Sequence, residues 1–147
     1  MTRIRLFYLA IFLFVFLGCT SKKSPTESLA INLDDVEWGE PVDGSIAPAG
    51  TRTALQSTNP STGGISYYTW FPAGTFFDEH WHTRDEYVVL ISGEVTIKLG
   101  KDIYDLKPGA FIVIPGGMAH YWDIPETGDA IILAKRDGPP DFHFVSR

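Results

Sequence analysis

Short strand-like segments separated by turns dominate this 147-residue chain from about residue 65 to its end. Runs of apolar, β-branched and aromatic residues stop repeatedly at glycine or proline. The clearest runs are 65–71, 87–91, 94–99, 102–106, 111–114, 130–133 and 142–145. No stretch after residue 30 sustains a helical period near 3.6, so long helices are not expected. The pattern predicts an all-β fold that closes its edges as a sandwich or barrel.

The charge and the length of the chain limit the domain organisation and the classes of partner that we expect. The formal net charge is −6, and no basic stripe appears downstream of residue 23. Because phosphate binding needs clustered Lys and Arg, nucleic acid is not an expected partner. The length suits one domain with a leader, and no internal repeat is visible. We therefore expect a single globular domain over residues 31–147.

The N-terminus has the layout of a secretion signal. Arg3 and Arg5 precede an apolar run over residues 6–17, and Gly18 and Cys19 follow. This run is too short to remain as a bilayer-spanning helix, but it suits the apolar region of a signal peptide. Residues 1–18 are therefore predicted to be a signal peptide.

Cys19, the single cysteine, resembles the lipidated residue of bacterial lipoprotein signals because it directly follows Gly18. The resemblance implies that Cys19 carries the lipid and that residues 19–30, small and polar, form a flexible tether. It also implies an exported protein anchored to the membrane, on the periplasmic face if the source is Gram-negative. Thr20 after the cysteine favours the outer membrane. A plain signal peptide with an incidental cysteine is the alternative.

The first candidate site residues are His80, His82 and Glu86. Residues two apart in a strand point to the same side, so both imidazoles enter one space. Neutral imidazole is the commonest side-chain ligand of transition metals. A turn at 83–85 can return the Glu86 carboxylate to the same ion. Two histidines and one carboxylate predict a metal site of the type that non-haem iron uses.

A second element, residues 109–120, can supply a fourth ligand. Gly109 ends a turn before the apolar run 111–114, and Pro115, Gly116 and Gly117 turn the chain back. This path can return His120 to the same ion.

The spacing of these residues resembles the two motifs of the cupin superfamily. The first motif reads Gly74, five residues, His80, one, His82, three, Glu86, six, Gly93. The second reads Gly109, five residues, Pro115, one, Gly117, two, His120. The family often has Asn four residues after the last histidine, where this chain has Ile124. The resemblance implies a single jelly-roll β-barrel that holds one divalent transition metal ion through His80, His82, Glu86 and His120.

The ligand set limits which metal ions can bind but does not identify one of them. Three imidazoles and one carboxylate suit Fe, Mn, Zn, Ni or Cu, and do not suit Ca or Mg. Family resemblance favours iron or manganese, whereas metal loading outside the cytoplasm favours zinc or copper. The two arguments disagree.

The resemblance favours a metal-dependent enzyme that acts on a small chelating substrate. The enzyme could be of dioxygenase, lyase, decarboxylase or isomerase type, and the oxygenase type is favoured. A non-catalytic module that binds or senses a small molecule is the alternative, and an ion that only stabilises the barrel is a third. The resemblance also implies a homodimer. Glu79 and Tyr121 are the acid–base candidates that the sequence offers.

Other side chains have two interpretations each. Asp85 is either a hydrogen-bond partner of a ligand imidazole or an exposed turn residue. His143, outside both motifs, is expected to be a hydrogen-bonded core residue. Four aromatic residues either line a substrate pocket or pack the barrel, namely Trp70, Tyr87, Tyr121 and Trp122.

Overall fold

The computed structural model describes residues 28–41 and 46–145. Within them a short 3₁₀ helix, Leu33–Asp35, precedes the strands. The strands are β1 Arg52–Thr58, β2 Ile65–Phe71, β3 Phe76–Trp81, β4 Glu86–Ser92, β5 Val95–Leu99, β6 Asp102–Leu106, β7 Phe111–Ile114, β8 His120–Asp123, β9 Ala130–Arg136 and β10 His143–Phe144. No helix in these two ranges is long and apolar enough to cross a membrane. The predicted lipidation residue Cys19 and most of the tether lie outside them.

Two five-stranded sheets form the barrel. The first sheet has the order β1-β2-β9-β4-β7, and the second has the order β10-β3-β8-β5-β6. Every strand pair is antiparallel. Neighbours in space are often distant in sequence, as expected for a jelly roll. The all-β jelly-roll prediction is confirmed.

Alternate residues of each strand face the space between the sheets. In β4, Val88 and Leu90 are fully buried, whereas Val89 between them is half-buried. Burying such a side chain stabilises the fold by about 1.5–3 kcal/mol. The same alternation fills the core from the other strands with Phe71, Phe77, Val95, Ile97, Ile112, Ile114, Trp122, Ala130, Ile132 and Ala134.

The predicted runs coincide with β2, β4, β5, β6, β7, β9 and β10, whereas no run predicts β1, and β9 is longer than its run. The predicted run ends at Leu133, but β9 continues to Arg136. Arg136 is only 3% exposed, and it lies opposite Glu86 of β4 across the first sheet. Because Glu86 carries the opposite charge, Arg136 can occupy a buried, inward-facing position at the end of β9.

Gly116 brings the loops of the two motifs into contact. A Cβ at this position would lie 2.6 Å from the Thr83 carbonyl oxygen, so a larger residue would force the loops apart. Gly116 N also donates to Asp85 Oδ1 at 2.8 Å, and Gly117 N donates to the His82 carbonyl at 2.8 Å. These contacts fix the turn that precedes His120 against the residues that follow His80.

Candidate metal centre

A β-bulge in β3 directs His80 into the barrel. Phe77 pairs with Trp122 and His80 pairs with His120, so β3 has one more residue than β8 between these pairs. Residues three apart in a regular strand face opposite sides, yet Phe77 and His80 are both buried. The extra residue changes the phase of the strand and turns the imidazole inward.

The three motif histidines meet inside the barrel. His80 and His120 are direct neighbours across β3 and β8, and His82 follows the end of β3. One nitrogen of each ring lies within 4.8 Å of the corresponding nitrogens of the other two. Their exposures are 1%, 2% and 0% for His80, His82 and His120. We call these three residues the imidazole cluster.

Backbone carbonyls fix the tautomer of the imidazole cluster. The Nδ1 atoms of His80, His82 and His120 lie 2.7, 2.6 and 3.1 Å from the carbonyl oxygens of Asp78, Asp141 and Met118. A carbonyl oxygen only accepts, so each Nδ1 carries the proton and each Nε2 keeps its lone pair. Burial also lowers the pKa of His80 to about 3 and lowers that of His120. His80 and His120 are therefore neutral, with their Nε2 lone pairs facing the interior.

A charged pair lies on the first sheet beside the cluster. Glu86 opens β4 and faces Arg136 across the sheet. Arg136 Nε donates to Glu86 Oε1 at 2.9 Å, and Tyr67 Oη donates to the same oxygen at 2.8 Å. Burial raises the pKa of Glu86, but His82, Arg136 and Tyr67 together outweigh it and lower the value to about 2. Glu86 is therefore ionised, and we call Glu86 and Arg136 the charged pair.

Arg136 also contacts the imidazole cluster. Its Nη2 lies 2.9 Å from His82 Nε2. A guanidinium only donates, so His82 Nε2 accepts, in agreement with the proton on Nδ1. Glu86 Oε2 lies 3.4 Å from the same nitrogen. Since Nε2 has a single lone pair, His82 can coordinate an ion only when Arg136 releases this hydrogen bond.

The donor set fits a transition metal. His120 Nε2 is buried and has no hydrogen-bond partner within residues 28–41 and 46–145. A buried acceptor without a partner is unfavourable, and an ion bound to it removes that cost. The structure brings His80, His82 and His120 together, whereas Glu86 joins them only through the contact of its Oε2 with His82. Coordination by all four residues stays a prediction.

The C-terminal segment covers this centre. The Phe142 ring lies 4.8 Å from the His82 ring, and the Arg136 guanidinium carbon lies 4.7 Å from its centroid. The Asp141 carbonyl accepts from His82 Nδ1 and, at 3.2 Å, from Arg136 Nη1. The Asp141 carboxylate accepts from Thr83 N at 3.2 Å, which fastens the segment to the end of β3. One backbone atom of this segment thus orients two residues of the site.

A cavity of about 60 Å³ lies beside the imidazole cluster and the charged pair. Its walls combine aromatic and aliphatic surface with hydroxyl groups. The lining residues are Ala47, Thr51, Thr53, Tyr67, Thr69, Phe71, Phe77, His80, His82, Glu86, Trp122, Ile132, Arg136 and Phe142. Of the four aromatic candidates from the sequence, Trp122 lines this cavity.

The structure places the two acid–base candidates elsewhere. Glu79 pairs with Lys98 at 2.8 Å, and Lys98 Nζ lies 5.8 Å from the centre of the Tyr121 ring. All three line a separate surface groove that the second sheet carries. Glu79 and Tyr121 therefore do not line the cavity beside the histidines, because each adjoins an inward histidine and faces the opposite side of its strand.

The structure also shows what the side chains of Asp85 and His143 contact. Asp85 bonds to Gly116 N, so its carboxylate fixes a loop and does not orient an imidazole. The His143 side chain is 42% exposed and stacks on Trp81 at 4.0 Å, so it is not a core residue.

Sequence reasoning missed Arg136 and Tyr67. The alternation of Ala130, Ile132 and Ala134 places Arg136 on the inward face of β9, and this signal was present in the sequence. Tyr67 likewise lies on the same face of β2 as the buried Thr69 and Phe71, and all three residues line the cavity.

Residues 67–134 match the family model of the cupin domain, Cupin_2. The chain is also 38% identical over 57 residues to an uncharacterized protein, y4oW, of Sinorhizobium fredii (strain NBRC 101917 / NGR234). That alignment covers 39% of this chain and 26% of the relative, so the chain spans about a quarter of the relative's length.

Solved structures share the fold at low sequence identity. A cupin-2 domain, Rru_A2000 from Rhodospirillum rubrum, has a TM-score of 0.66 at 14% identity and covers 84% of each chain. A chain from the crystal structures of the DMSP lyases RdDddP and RnDddQII has a TM-score of 0.63 at 16% identity, covering 76% of this chain and 63% of that one. The family match over residues 67–134 agrees with the cupin motifs, and these neighbours share the fold.

Proposed function

We propose that this chain is a metal-binding cupin in which His80, His82, His120 and Oε2 of Glu86 hold one divalent transition metal ion. We further propose that it is a metal-dependent enzyme for a small chelating substrate. The observation that carries the first proposal is the convergence of imidazole lone pairs, with the buried His120 Nε2 left without a partner in the described ranges.

A metal ion in such a site acts as a Lewis acid or activates oxygen. The chain's own residues prepare the space around it. Phe77, Trp122 and Phe142 line the cavity with apolar surface, and an apolar surrounding strengthens electrostatic interactions. Glu86 stays ionised because Arg136 and Tyr67 donate to it. One fold neighbour comes from structures of lyases, so this architecture is compatible with catalysis.

A non-catalytic module that binds or senses a small molecule is the second candidate. It is favoured by the pairing of Tyr67 with Glu86, because the phenol proton already has an acceptor. Burial and the Glu86 charge also raise the pKa of Tyr67 well above its usual value. Metal-loaded protein incubated with small hydroxy and oxo acids separates the two. Product formation or oxygen uptake supports the enzyme, and binding without turnover supports the module.

Elemental analysis of purified protein from metal-replete cells tests the metal site. We expect about one ion per chain in the wild type and clearly less in His120→Ala. His143→Ala is the matched control, since His143 lies outside the imidazole cluster and should keep full occupancy. Wild-type protein without an ion, or equal occupancy in the His120 variant, would contradict the proposal.

We also propose that the protein is exported and anchored at the cell envelope through a lipid on Cys19. The support is the N-terminal arrangement of arginines, apolar run, glycine and cysteine. Cys19→Ser should move the full-length protein from the membrane fraction to the soluble fraction in a bacterial host. Unchanged fractionation would argue for a different mode of localisation.

A further inference from the structure

The buried hydroxyl of Thr51 indicates a position where a ligand binds. The residue is 7% exposed, and its Oγ1 has no hydrogen-bond partner in the part of the chain that the structure describes. A buried hydroxyl without a partner costs about 1–3 kcal/mol. Thr51 lines the same cavity as His80, His82 and the charged pair. The unpartnered group therefore lies where a bound molecule would meet it.

The position of Thr51 is fixed by its backbone and not by its hydroxyl. Thr51 N donates to the Pro48 carbonyl at 3.1 Å, in the turn that leads into β1. Thr53 and Thr69 add two more hydroxyls to the cavity lining. The lining of this cavity thus combines hydroxyls, charged and imidazole groups, and apolar surface.

Charge at the centre favours an anion. Imidazoles that hold an ion are neutral, and the charges of Glu86 and Arg136 cancel. A divalent ion therefore leaves this buried centre with a net charge of about +2, which a low-dielectric cavity holds poorly without an anion. Arg136 has five N–H donors, and the contacts given above, all within the described residues, use three of them. Donors remain for a carboxylate.

The size of the cavity limits the ligand. One water needs roughly 10–15 Å³ of such space, so a cavity of about 60 Å³ accommodates on the order of five or six non-hydrogen atoms. Two-carbon and three-carbon acids with one extra oxygen function have this size.

We propose that Arg136 and Thr51 together bind a small hydroxy or oxo carboxylic acid, with Arg136 on the carboxylate and the Thr51 hydroxyl on the second oxygen function. This proposal rests on the proposed metal function, because the ion supplies the net positive charge. It goes beyond that function by naming the substrate class and a residue outside both motifs that determines specificity.

Thr51→Val tests the proposal because valine has nearly the same shape without the hydroxyl. In the ligand-free protein the variant should be more stable and melt at a higher temperature, since an unpaired buried polar group has been removed. In metal-loaded protein it should bind glycolate, lactate or pyruvate about three- to tenfold more weakly, as expected for one lost hydrogen bond. Thr58→Val, at the exposed last position of β1, should change neither property.

Isothermal titration calorimetry on protein of measured metal content gives the affinities, with glycolamide as the neutral analogue of glycolate. A lower melting temperature of Thr51→Val would show that the hydroxyl has a structural partner. Unchanged affinity for all three acids would remove Thr51 from the subsite. Equal binding of glycolamide and glycolate would overturn the charge argument. Absence of binding at millimolar acid, in protein that holds its ion, would overturn the ligand class and leave the metal function intact; absence of the ion would overturn both.

Discussion

The two sheets contribute different chemistry to one centre. The second sheet and the residue that follows β3 supply three imidazoles, of which His120 has a nitrogen without a partner within residues 28–41 and 46–145. The first sheet supplies Glu86 and Arg136, which neutralise each other, with Tyr67 completing the bonding of Oε1 of the carboxylate. The charged pair is thus held by contacts within the protein, whereas the imidazole cluster is completed by something that binds to it. In chelator-treated protein, substitutions in the charged pair should therefore mainly lower stability, and substitutions in the imidazole cluster should mainly lower metal binding.

The largest effect is expected when the charged pair is broken. Glu86→Ala leaves Arg136 buried without its carboxylate and should lower the free energy of unfolding by about 3–5 kcal/mol. The measurement is urea unfolding of chelator-treated protein. Asp137→Ala removes the partner of Lys135 from an exposed ion pair of 2.9 Å and should cost less than about 1 kcal/mol. Similar losses in the two variants would show that the charged pair is not a stability element.

Acid should destabilise chelator-treated protein through the imidazole cluster. Between pH of about 6.5 and about 3 the unfolded chain protonates His80 while the folded protein does not, because the folded pKa is about 3. Stability is thus complete above that window and is lost as pH falls, at about 1.4 kcal/mol per pH unit for each such histidine. Glu86, with a folded pKa of about 2, extends the loss below pH of about 4.5 in the same direction. Urea midpoints across this range should fall less steeply in His80→Gln, and an identical slope would contradict the assignment.

A smaller effect should appear where the two sheets touch. Arg136→Lys keeps a cation near Glu86 but removes the Nη2 hydrogen bond to His82 Nε2. The freed lone pair should raise metal affinity about tenfold, since a hydrogen bond from a charged donor contributes about 1.5 kcal/mol. Competition with a metal-binding dye measures the affinity, and Lys135→Arg on the exposed face is the control. Weaker metal binding in Arg136→Lys would mean that the guanidinium supports the ligands and does not compete with the ion.

The smallest effect is expected on the outer face of the second sheet. Glu79→Gln breaks the partly exposed ion pair with Lys98 and should change stability by less than about 1 kcal/mol. Metal content should stay at the wild-type level because Glu79 lines a groove separate from the cavity. A marked loss of bound metal in elemental analysis would contradict this prediction and would show that Glu79 supports the metal centre.

The sequence was sufficient for most strands and for the motif histidines, because alternation and motif spacing are local properties. The run 65–71 coincides with β2, and 111–114 coincides with β7. The contacts of Glu86 were not predictable in this way. Its partners Tyr67 and Arg136 lie 19 and 50 residues away in sequence, and only the register of β2, β9 and β4 brings them together.

Backbone detail explains the other omissions. Nothing in the letters of β3 marks a bulge between Phe77 and His80, yet the bulge determines which way the imidazole points. The role of Asp141 was also hidden, since its carbonyl oxygen, common to every residue type, contacts His82 and Arg136. Thr51 lies in a turn outside both motifs, where spacing gives no signal.

The Asp141 carbonyl has a practical consequence for anyone who prepares this protein. Because the contact is made by the main chain, changing the side chain at this position does not delete the group that orients His82, whereas ending the chain before residue 141 does. Phe142, the next residue, packs against the same ring. A scan of side-chain substitutions at position 141 would therefore understate what this residue contributes to the centre.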